Sequence, residues 1–257
     1  MGGFYFDSDA RSALGLVRNG NEDSAFVSGR LIAVADGMGG HAGGEVASRI
    51  AIRTLQSMAP MITDETIDSD STQDLLINSL HTIDTEIGDF AREAIELRGM
   101  GTTLTALVIH ADSIALLHVG DSRCYRLRGN TIEQLSNDHT VIQELLSQGA
   151  ITPAEALDHP QRSVLTQALM GEGNIVPVLQ VFDAKEGDRY LLCSDGLSSV
   201  LTEKEIKLLL KKRDRKAAIK ELIDATYILG APDNITVVIA DVTLKEIITN
   251  ELLGAAL

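Results

Sequence analysis

Residues 14–37 read LGLVRNGNEDSAFVSGRLIAVADG and contain three short apolar stretches in quick succession. We predict strands over Leu14–Arg18, Asp23–Val27 and Leu31–Ala35. The Ser28-Gly29 pair predicts a tight turn between the second and the third strand. Connections this short join antiparallel strands, because a parallel pair needs a crossover of roughly a dozen residues or more.

Two consecutive helices are predicted after these strands, because apolar residues recur there at spacings of three and four. The first covers Glu45–Met58, and the apolar positions of the second run from Leu76 to Leu97. Between them, Met61–Asp74 carries acidic side chains and no basic one. We predict that this stretch is a solvated loop within one domain.

The rest of the chain repeats this order of strands followed by helices. Strands are predicted over Thr102–His110, Ile114–Val119, Arg123–Leu127, Thr131–Leu135, Val176–Phe182, Tyr190–Cys193 and Ile235–Ala240. Helices are predicted over Thr140–Gln148, from Pro153, over Thr202–Lys211 and over Asp214–Leu229. Helices that arrive in pairs favour an α+β fold over a parallel βαβ sheet. We expect one domain over residues 1–257, a four-layer αββα sandwich of two antiparallel sheets flanked by helical hairpins, with an irregular insert at about residues 140–171.

The charge balance limits the partners that the protein can have. The chain has 257 residues, 37 of them acidic and 22 basic, which gives a net charge of −15. This excess argues against nucleic acid or an anionic membrane as the main partner, although a bound metal ion can still attract an anionic substrate. The chain contains no apolar run of about 18 residues, so the sequence predicts no segment that crosses a membrane. Two isolated cysteines and an N-terminus without an apolar signal segment are typical of a cytoplasmic protein.

Four aspartates lie at the ends of predicted strands beside small residues: Asp36, Asp121, Asp195 and Asp233. Each one alone is typical of a turn. If all four converge beside Glu22 and Asp23, each pair repels by about 3 kcal/mol at roughly 5 Å and an effective dielectric constant near 20. Hard divalent cations stabilise such a cluster, and ligands that are all oxygen favour Mg²⁺ or Mn²⁺ over Zn²⁺.

Six motifs occur in a familiar order along the chain. They are GLVRNGNED (15–23), ADGMGGHAGGE (35–45), GTT (101–103), VGDSR (119–123), SDGL (194–197) and DNITV (233–237). On these motifs the chain resembles the metal-dependent Ser/Thr protein phosphatase family (PPM, type 2C) in its bacterial form. The segments RNGNED (18–23) and HPQRS (159–163) look most like the actinobacterial members.

The resemblance implies a site with two metal ions, Mn²⁺ or Mg²⁺. Asp36 would bridge the two ions, the Gly37 carbonyl would bind one, and Asp195 and Asp233 would bind the other. A two-metal site lowers the pKa of water from about 15.7 toward about 7, which supplies hydroxide for in-line attack on phosphorus. No covalent phosphoenzyme is then needed.

The resemblance also implies roles around these two ions. Glu22 would act on the metal through water, and Asp121 with Asp195 would hold a third ion. Arg18 would bind the substrate phosphate, which suits a planar guanidinium. Thr140–Arg162 would form a flap beside the site.

The chain departs from the eukaryotic members at the residue after Asp36-Gly37, where they have histidine and this chain has Met38. His41 is then the nearby candidate for a general acid, and the alternative is that it merely opens the following helix. A second departure is Met170, which stands where the family usually has glycine directly after LTQAL (165–169).

The resemblance implies a protein-serine/threonine phosphatase, a phosphoric monoester hydrolase whose partners are phosphorylated proteins, Ser/Thr kinases and the substrates of those kinases. We expect a monomer. Actinobacterial members commonly act opposite membrane-anchored kinases and can carry a tether after the catalytic domain. Because this chain ends at Leu257, we expect either an untethered cytoplasmic enzyme or a fragment of a membrane-tethered one.

Other readings of the sequence fit less well. Residues 37–42, GMGGHA, match a dinucleotide-binding motif. That motif needs a second strand that ends in an acidic residue about 20 residues later, and in this chain the helix is followed by the polar, acidic stretch Met61–Asp74 instead. Asp68–Thr72 matches the D-x-D-x-T motif of aspartyl phosphatases, which belongs after an apolar strand, and Thr63–Ile67 is not one. Neither cysteine has the arginine six residues later that a cysteine phosphatase needs. A catalytically inactive binding module would lack a metal ligand, and all four aspartates are present.

Overall fold

Two antiparallel sheets form the centre of the fold in the computed structural model, which describes residues 3–39, 43–157 and 159–257. The first sheet has five strands. In spatial order they are β1 (Tyr5–Ala13), β11 (Ile235–Thr243), β10 (Arg189–Cys193), β7 (Arg123–Arg128) and β8 (Thr131–Gln134). Every pairing in this sheet is antiparallel, as the short connections predict.

The second sheet lies against the first. Its strands, in spatial order, are β12 (Asn250–Gly254), β2 (Asp23–Ser28), β3 (Leu31–Met38), β5 (Leu104–His110), β6 (Ser113–Val119) and β9 (Val178–Asp183), and β4 (Gly101–Thr102) pairs with β3. The tight turn between β2 and β3 sets their register, which places Asp23 opposite Asp36.

Pairs of helices cover the outer faces of both sheets. The helices are α1 (Gly43–Ile62), α2 (Ser69–Glu93), α3 (Val141–Ser147), α4 (Pro153–Leu157), α5 (Asp195–Ser198), α6 (Glu203–Leu210) and α7 (Arg215–Ile228), with a 3₁₀ turn at Ile95–Leu97. The α1–α2 pair packs on the second sheet and the α6–α7 pair on the first. None of the described helices is long and apolar enough to cross a membrane.

Three layers of buried side chains hold the four layers of backbone together. Ile52 and Leu80 of the first helix pair pack on the second sheet, and Phe6 and Tyr190 pack between the sheets. The third layer joins the first sheet to α6 and α7. Strands covered on both faces need apolar residues at nearly every position, which explains apolar runs such as β3. The α+β sandwich predicted from the sequence is confirmed.

The predicted strand at Leu14–Arg18 is wrong. The strand at the start of the fold is β1, and residues 14–18 form a loop in which Leu16 and Val17 are 64% and 70% exposed. Gly15 packs directly on the main chain before β11, where a Cβ would lie 2.1 Å from the Asp233 carbonyl oxygen. This contact, together with the hydrogen bond that the Leu16 amide donates to the Ala231 carbonyl at 2.8 Å, holds residues 14–18 against the chain before β11 as a loop.

The predicted acidic loop is shorter than expected. Helix α1 extends to Ile62, and α2 begins at Ser69, so only residues 63–68 connect the two helices. Asp68 is the N-cap of α2, and its carboxylate accepts a hydrogen bond from the Ser71 amide at 2.8 Å. Capping explains the Asp68–Thr72 motif without any phosphatase chemistry, because an N-cap aspartate satisfies a free amide of the first turn. Strand β12 was not predicted.

Candidate metal and phosphate site

A single cleft of about 590 Å³ contains nearly all of the side chains that the sequence marks for function. It is lined by Arg18, Glu22, Asp36, Gly37, Asp121, Asp195 and Asp233. His41, the candidate general acid, lies outside the described residues. The metal and phosphate residues predicted from the motifs are therefore brought together in the part of the chain that the structure describes.

The aspartates reach this cleft because each stands at or beside a strand end. Asp36 lies near the end of β3 and Asp121 lies two residues after β6, both in the second sheet. Asp195 follows β10 and Asp233 precedes β11, both in the first sheet. The cleft thus forms where the ends of the two sheets meet, and neither sheet alone contains the site.

Two threonines of the GTT motif hold the main chain of Asp36. Its amide donates to Thr103 Oγ1 at 3.0 Å, and its carbonyl accepts from the Thr103 amide at 2.9 Å and from Thr102 Oγ1 at 2.9 Å. Thr103 Oγ1 also lies 2.8 Å from Ser122 Oγ, beside Asp121. Asp36 therefore enters the cleft from a backbone that is hydrogen-bonded on both of its polar groups.

Asn234 links the Arg18–Glu22 loop to the first sheet. Its Oδ1 accepts from the Glu22 amide at 2.9 Å, and its Nδ2 donates to the Gly20 carbonyl at 3.0 Å. The sequence predicted no role for this residue, although it stands next to Asp233 in the DNITV motif. A buried amide that donates and accepts in this way holds the loop that carries Arg18 and Glu22.

Arg18 lies over the carboxylates at the mouth of the cleft. Its Nη2 is 2.5 Å from Asp233 Oδ2, and half of its side chain (51%) is exposed. This hydrogen bond raises the pKa of Arg18, and the nearby charges of Glu22 and Asp36 raise it further. A guanidinium that is bound on one side and exposed on the other can still present N–H donors to an anion from solution.

The carboxylates resist ionisation in this arrangement. Burial and, after it, the charge of Asp195 raise the pKa of Asp121 to about 7. Burial also raises the pKa of Asp36 well above its usual range, with added repulsion from Asp23 and Asp195. Burial is also the main cause of the raised pKa values of Glu22 and Asp195. Part of the cluster therefore keeps its protons at neutral pH in the metal-free protein, and a bound cation would favour the ionised form.

Asp23 belongs to this cluster, although the sequence-based site did not include it. It is only 1% exposed and accepts a hydrogen bond from Ser194 Oγ at 2.8 Å. Burial raises its pKa to about 7, with contributions from the charges of Asp195 and Asp233. The hairpin register could have identified it, because a tight turn at Ser28-Gly29 places residue 23 opposite residue 36.

The donor set fits hard divalent cations. It consists of oxygen atoms only and is half-buried, and the raised pKa values of its carboxyl groups are those of acids that a positive charge would stabilise in the ionised form. Among the described residues no three Asp, Glu, His or Cys side chains are grouped around one point as the ligands of an ion. Asp233 is paired with Arg18 instead, so a cation that takes Asp233 must compete with the guanidinium.

Asp23→Asn should stabilise the metal-free protein by an amount that grows as the pH rises from about 4 to about 7. An aspartate in an unfolded chain ionises near pH 4, whereas burial keeps Asp23 protonated to about pH 7 in the folded protein. Between these values the folded state binds the extra proton, so the wild type loses stability as the pH rises. Asparagine is neutral at every pH and escapes this loss.

The measurement is the melting temperature of both proteins in EDTA between about pH 5 and about pH 8. Burial lowers the pKa of His118 to about 3, which makes the wild type more stable as the pH rises. Only the difference between the two proteins is therefore read. Asp74→Asn, at an exposed position, is the control. A difference that stays constant with pH would contradict a buried, protonated Asp23.

The segment that follows the predicted flap forms one wall of the cleft. The insert is closed at its base, where the Val141 amide donates to the Val164 carbonyl at 3.0 Å and the Thr166 amide donates to the His139 carbonyl at 2.8 Å. The lining residues of this part of the chain fall between Ser163 and Ile175, just after the predicted flap Thr140–Arg162. This wall and the carboxylates enclose the space in which a phosphorylated side chain could bind.

Comparisons with known proteins agree with this geometry. A family model described as "Protein phosphatase 2C" matches residues 20–227. The serine/threonine protein phosphatase PstP of Mycobacterium tuberculosis is 42% identical over 236 residues, which cover 91% of this chain and 44% of that protein. The serine/threonine phosphatase stp of Listeria welshimeri is 35% identical over 245 residues, 93% of this chain and 97% of that protein. The chain thus spans less than half the length of PstP.

Solved structures show the same similarity in three dimensions. A crystal structure of the M. tuberculosis PstP/Ppp phosphatase superposes with a TM-score of 0.86 at 42% identity, over 92% of this chain and 98% of that one. The catalytic domain of PstP in complex with two manganese ions superposes with a TM-score of 0.84 at 39% identity, over 93% of this chain and 99% of that one. Both the fold and the sequence similarity therefore cover nearly the whole chain.

Proposed function

Because the chain belongs to the protein phosphatase 2C family, we propose that it hydrolyses the phosphate esters of phosphoserine and phosphothreonine in proteins. The observation that carries the proposal is the cleft that Arg18 shares with half-buried carboxylates from both sheets, one of which, Asp233, it pairs with. Its substrates would be proteins phosphorylated by Ser/Thr kinases, and it would act as a monomer.

The proposed metal ligands are the residues that the motifs single out and the cleft brings together. Asp36, the Gly37 carbonyl, Asp195 and Asp233 would hold two ions, Mn²⁺ or Mg²⁺, with Glu22 acting through water. Asp121, together with Asp195, would hold a third. A pair of divalent cations, when bound, lowers the pKa of water and neutralises charge on a phosphate ester.

The side chains of this protein would bind and orient the substrate. Arg18 would donate N–H groups to two oxygens of the phosphate, as a planar guanidinium does well. The hydrogen-bonded backbone at Asp36 keeps its carboxylate in place before the substrate arrives, so little rearrangement is needed during the reaction. His41 remains a candidate to protonate the leaving serine or threonine oxygen.

A cysteine nucleophile does not fit this protein. Cys124 and Cys193 are both free and buried, and burial raises the pKa of each thiol. A thiol attacks only as the thiolate, which is disfavoured here. Free thiols also suit the reducing cytoplasm, which is where we propose that the protein acts.

The proposed function is tested with the purified chain, Mn²⁺ and peptides that contain phosphoserine or phosphothreonine. We expect release of inorganic phosphate. Arg18→Ala should raise KM by about tenfold, because it removes charged hydrogen bonds to the phosphate worth roughly 1.5 to 3 kcal/mol each before solvent screening. Arg213→Ala, which removes an exposed guanidinium on the α6–α7 turn, is the matched control.

Two results would contradict this assignment. If neither peptide releases phosphate with Mn²⁺ or Mg²⁺ present, the proposed function is wrong. If phosphate is released but KM is the same for Arg18→Ala and the wild type, the phosphate binds elsewhere and Arg18 only pairs with Asp233.

A further inference from the structure

The loop Met170–Ile175, which we name the wall loop, lines the same cleft as the proposed metal ligands. Met170, Glu172, Asn174 and Ile175 all contribute to the cleft surface. The loop has no regular secondary structure, so contacts with other elements must hold its shape.

Asp84 of α2 is the main anchor of the wall loop. Its carboxylate accepts three main-chain hydrogen bonds, from the amides of Met170 at 3.0 Å, Gly171 at 2.7 Å and Gly173 at 2.9 Å. The side chain is only 3% exposed. A buried carboxylate with three amide donors holds a loop firmly, because each bond to a charged acceptor is stronger than a neutral one.

A close backbone contact adds to this anchor. Gly171 has φ +76, and a Cβ there would lie 2.2 Å from the Gly88 Cα, one helical turn after Asp84. Only glycine fits at Gly171, because its backbone conformation and its proximity to α2 both exclude a side chain. Met170, which stands where the family usually has glycine, is accommodated because its amide donates a hydrogen bond to Asp84 of α2.

Glu172 is the charged side chain that the wall loop presents. It is exposed, and within Ser163–Ile175 it is the one ionisable residue. No Lys, Arg or His among the described residues lies within salt-bridge distance of it, and its polar neighbour is Asn174, whose Nδ2 donates to Glu172 Oε2 at 3.3 Å. The other acids that line the cleft are the proposed metal ligands, so Glu172 is the acid of the cleft that remains available to a basic side chain of a peptide.

We propose that Glu172 is a specificity-determining residue that favours substrates with arginine or lysine beside the phosphorylated residue, and that Asp84 positions it. The proposal rests on the proposed function, because it concerns the peptide whose phosphate reaches Arg18. The wall loop and Arg18 line the same cleft, which places Glu172 among the side chains available to residues that flank the phosphate. A basic side chain that flanks the phosphorylated residue can form an ion pair with Glu172, because no Lys, Arg or His among the described residues already does so and Asn174 is neutral.

The experiment compares two phosphothreonine peptides that differ only at the residues flanking the phosphothreonine, which are arginine in one and glutamate in the other. The wild type should prefer the arginine peptide in kcat/KM. Glu172→Gln should lower this preference about three- to fivefold, the range of a partly exposed ion pair, and Glu172→Lys should lower it further. Hydrolysis of p-nitrophenyl phosphate, which has no flanking residues, is measured beside the peptides, so that an effect on the reaction itself is separated from an effect on the preference.

Asp84→Asn tests the positioning role, because asparagine offers one acceptor oxygen where the carboxylate offers two. The arginine preference should fall although Asp84 does not touch the cleft, while the turnover of p-nitrophenyl phosphate stays near the wild-type value. If the preference is unchanged in Asp84→Asn, the residue serves stability alone and its part of the proposal is wrong.

Glu246→Lys separates local recognition from long-range attraction, since it makes the same charge change at an exposed position away from the cleft. It should leave the preference unaltered. An equal effect of Glu246→Lys and Glu172→Lys, or no effect of either Glu172 variant, overturns the proposal. Loss of all phosphate release by the wild type would instead overturn the proposed function, so the two failures are distinguishable.

Discussion

Asp36→Asn is expected to abolish phosphate release and, with it, the stabilisation that Mn²⁺ gives to the wild-type protein. The proposed role of Asp36 is to bridge two ions, so this one substitution should weaken the binding of both ions. A cation at about one hundred times its dissociation constant stabilises a protein by about 2.7 kcal/mol. We expect this gain in the wild type and little of it in the variant.

The metal-free variant should fold at least as stably as the metal-free wild type. Asparagine has nearly the volume of aspartate, and the main-chain hydrogen bonds of Asp36 to Thr102 and Thr103 do not involve its side chain. Because burial and neighbouring acids raise the pKa of Asp36, replacing it with a neutral group should relieve repulsion at neutral pH. Loss of activity in this variant would then reflect lost metal binding and not unfolding.

Melting curves with and without Mn²⁺, measured beside the rate of phosphate release, test this expectation. Wild type in EDTA should be as inactive as Asp36→Asn, and Asp74→Asn, at an exposed position, should behave like the wild type. If Asp36→Asn keeps its activity or its Mn²⁺-dependent stabilisation, Asp36 does not bridge the ions and the proposed two-metal site is wrong.

Asp121→Asn should lower turnover of a phosphopeptide by an order of magnitude or more, which corresponds to about 1.4 kcal/mol or more in the activation barrier. Asp121 follows Gly120 at the end of a buried strand, and burial together with the charge of Asp195 raises its pKa to about 7. A buried carboxylate beside a second acid destabilises the folded protein when no cation is bound. Its presence at this position therefore supports a role in binding a cation. We propose that it holds the third ion.

Calorimetric titration with Mn²⁺ should separate Asp121 from the bridging pair. We expect Asp121→Asn to keep the tight binding that depends on Asp36, Asp195 and Asp233 and to lose a weaker binding event. Full turnover on the phosphopeptide would show that the third site is not needed for catalysis. Loss of the tight binding as well would place Asp121 in the pair of core sites.

Several features of this protein follow from local sequence patterns. The apolar spacing from Leu76 predicts most of α2, because a helix that packs on a sheet must repeat its buried face every three or four residues. The aspartates at the strand ends could also be identified from the local pattern, because a polar residue directly after a buried strand lies where the strand leaves the core. The order of strands and paired helices was enough to predict the four-layer α+β sandwich.

Residues 14–18 show where local patterns fail. Their apolar character is typical of a strand, yet Gly15 packs on the chain before β11 and Arg18 reaches Asp233, more than two hundred positions away in sequence. Those contacts hold the segment as a loop and leave Leu16 and Val17 exposed. Only the packed structure contains the information that decides between the two conformations.

The sequence by itself predicted the helices, most strands and their layering, because periodicity acts over short stretches, and its motifs supplied the residues that we propose for the metal and phosphate site. Tertiary structure alone decided which residues of distant segments support that site. Asn234 binds the loop that carries Arg18 and Glu22, and Asp84 anchors a loop that lies 86 positions or more beyond it. Helical spacing already places Asp84 on the buried face of α2, between Leu80 and Ile87. Its three amide partners exist only once the sheets and helices have packed, since hydrogen bonds between distant segments depend on the whole fold.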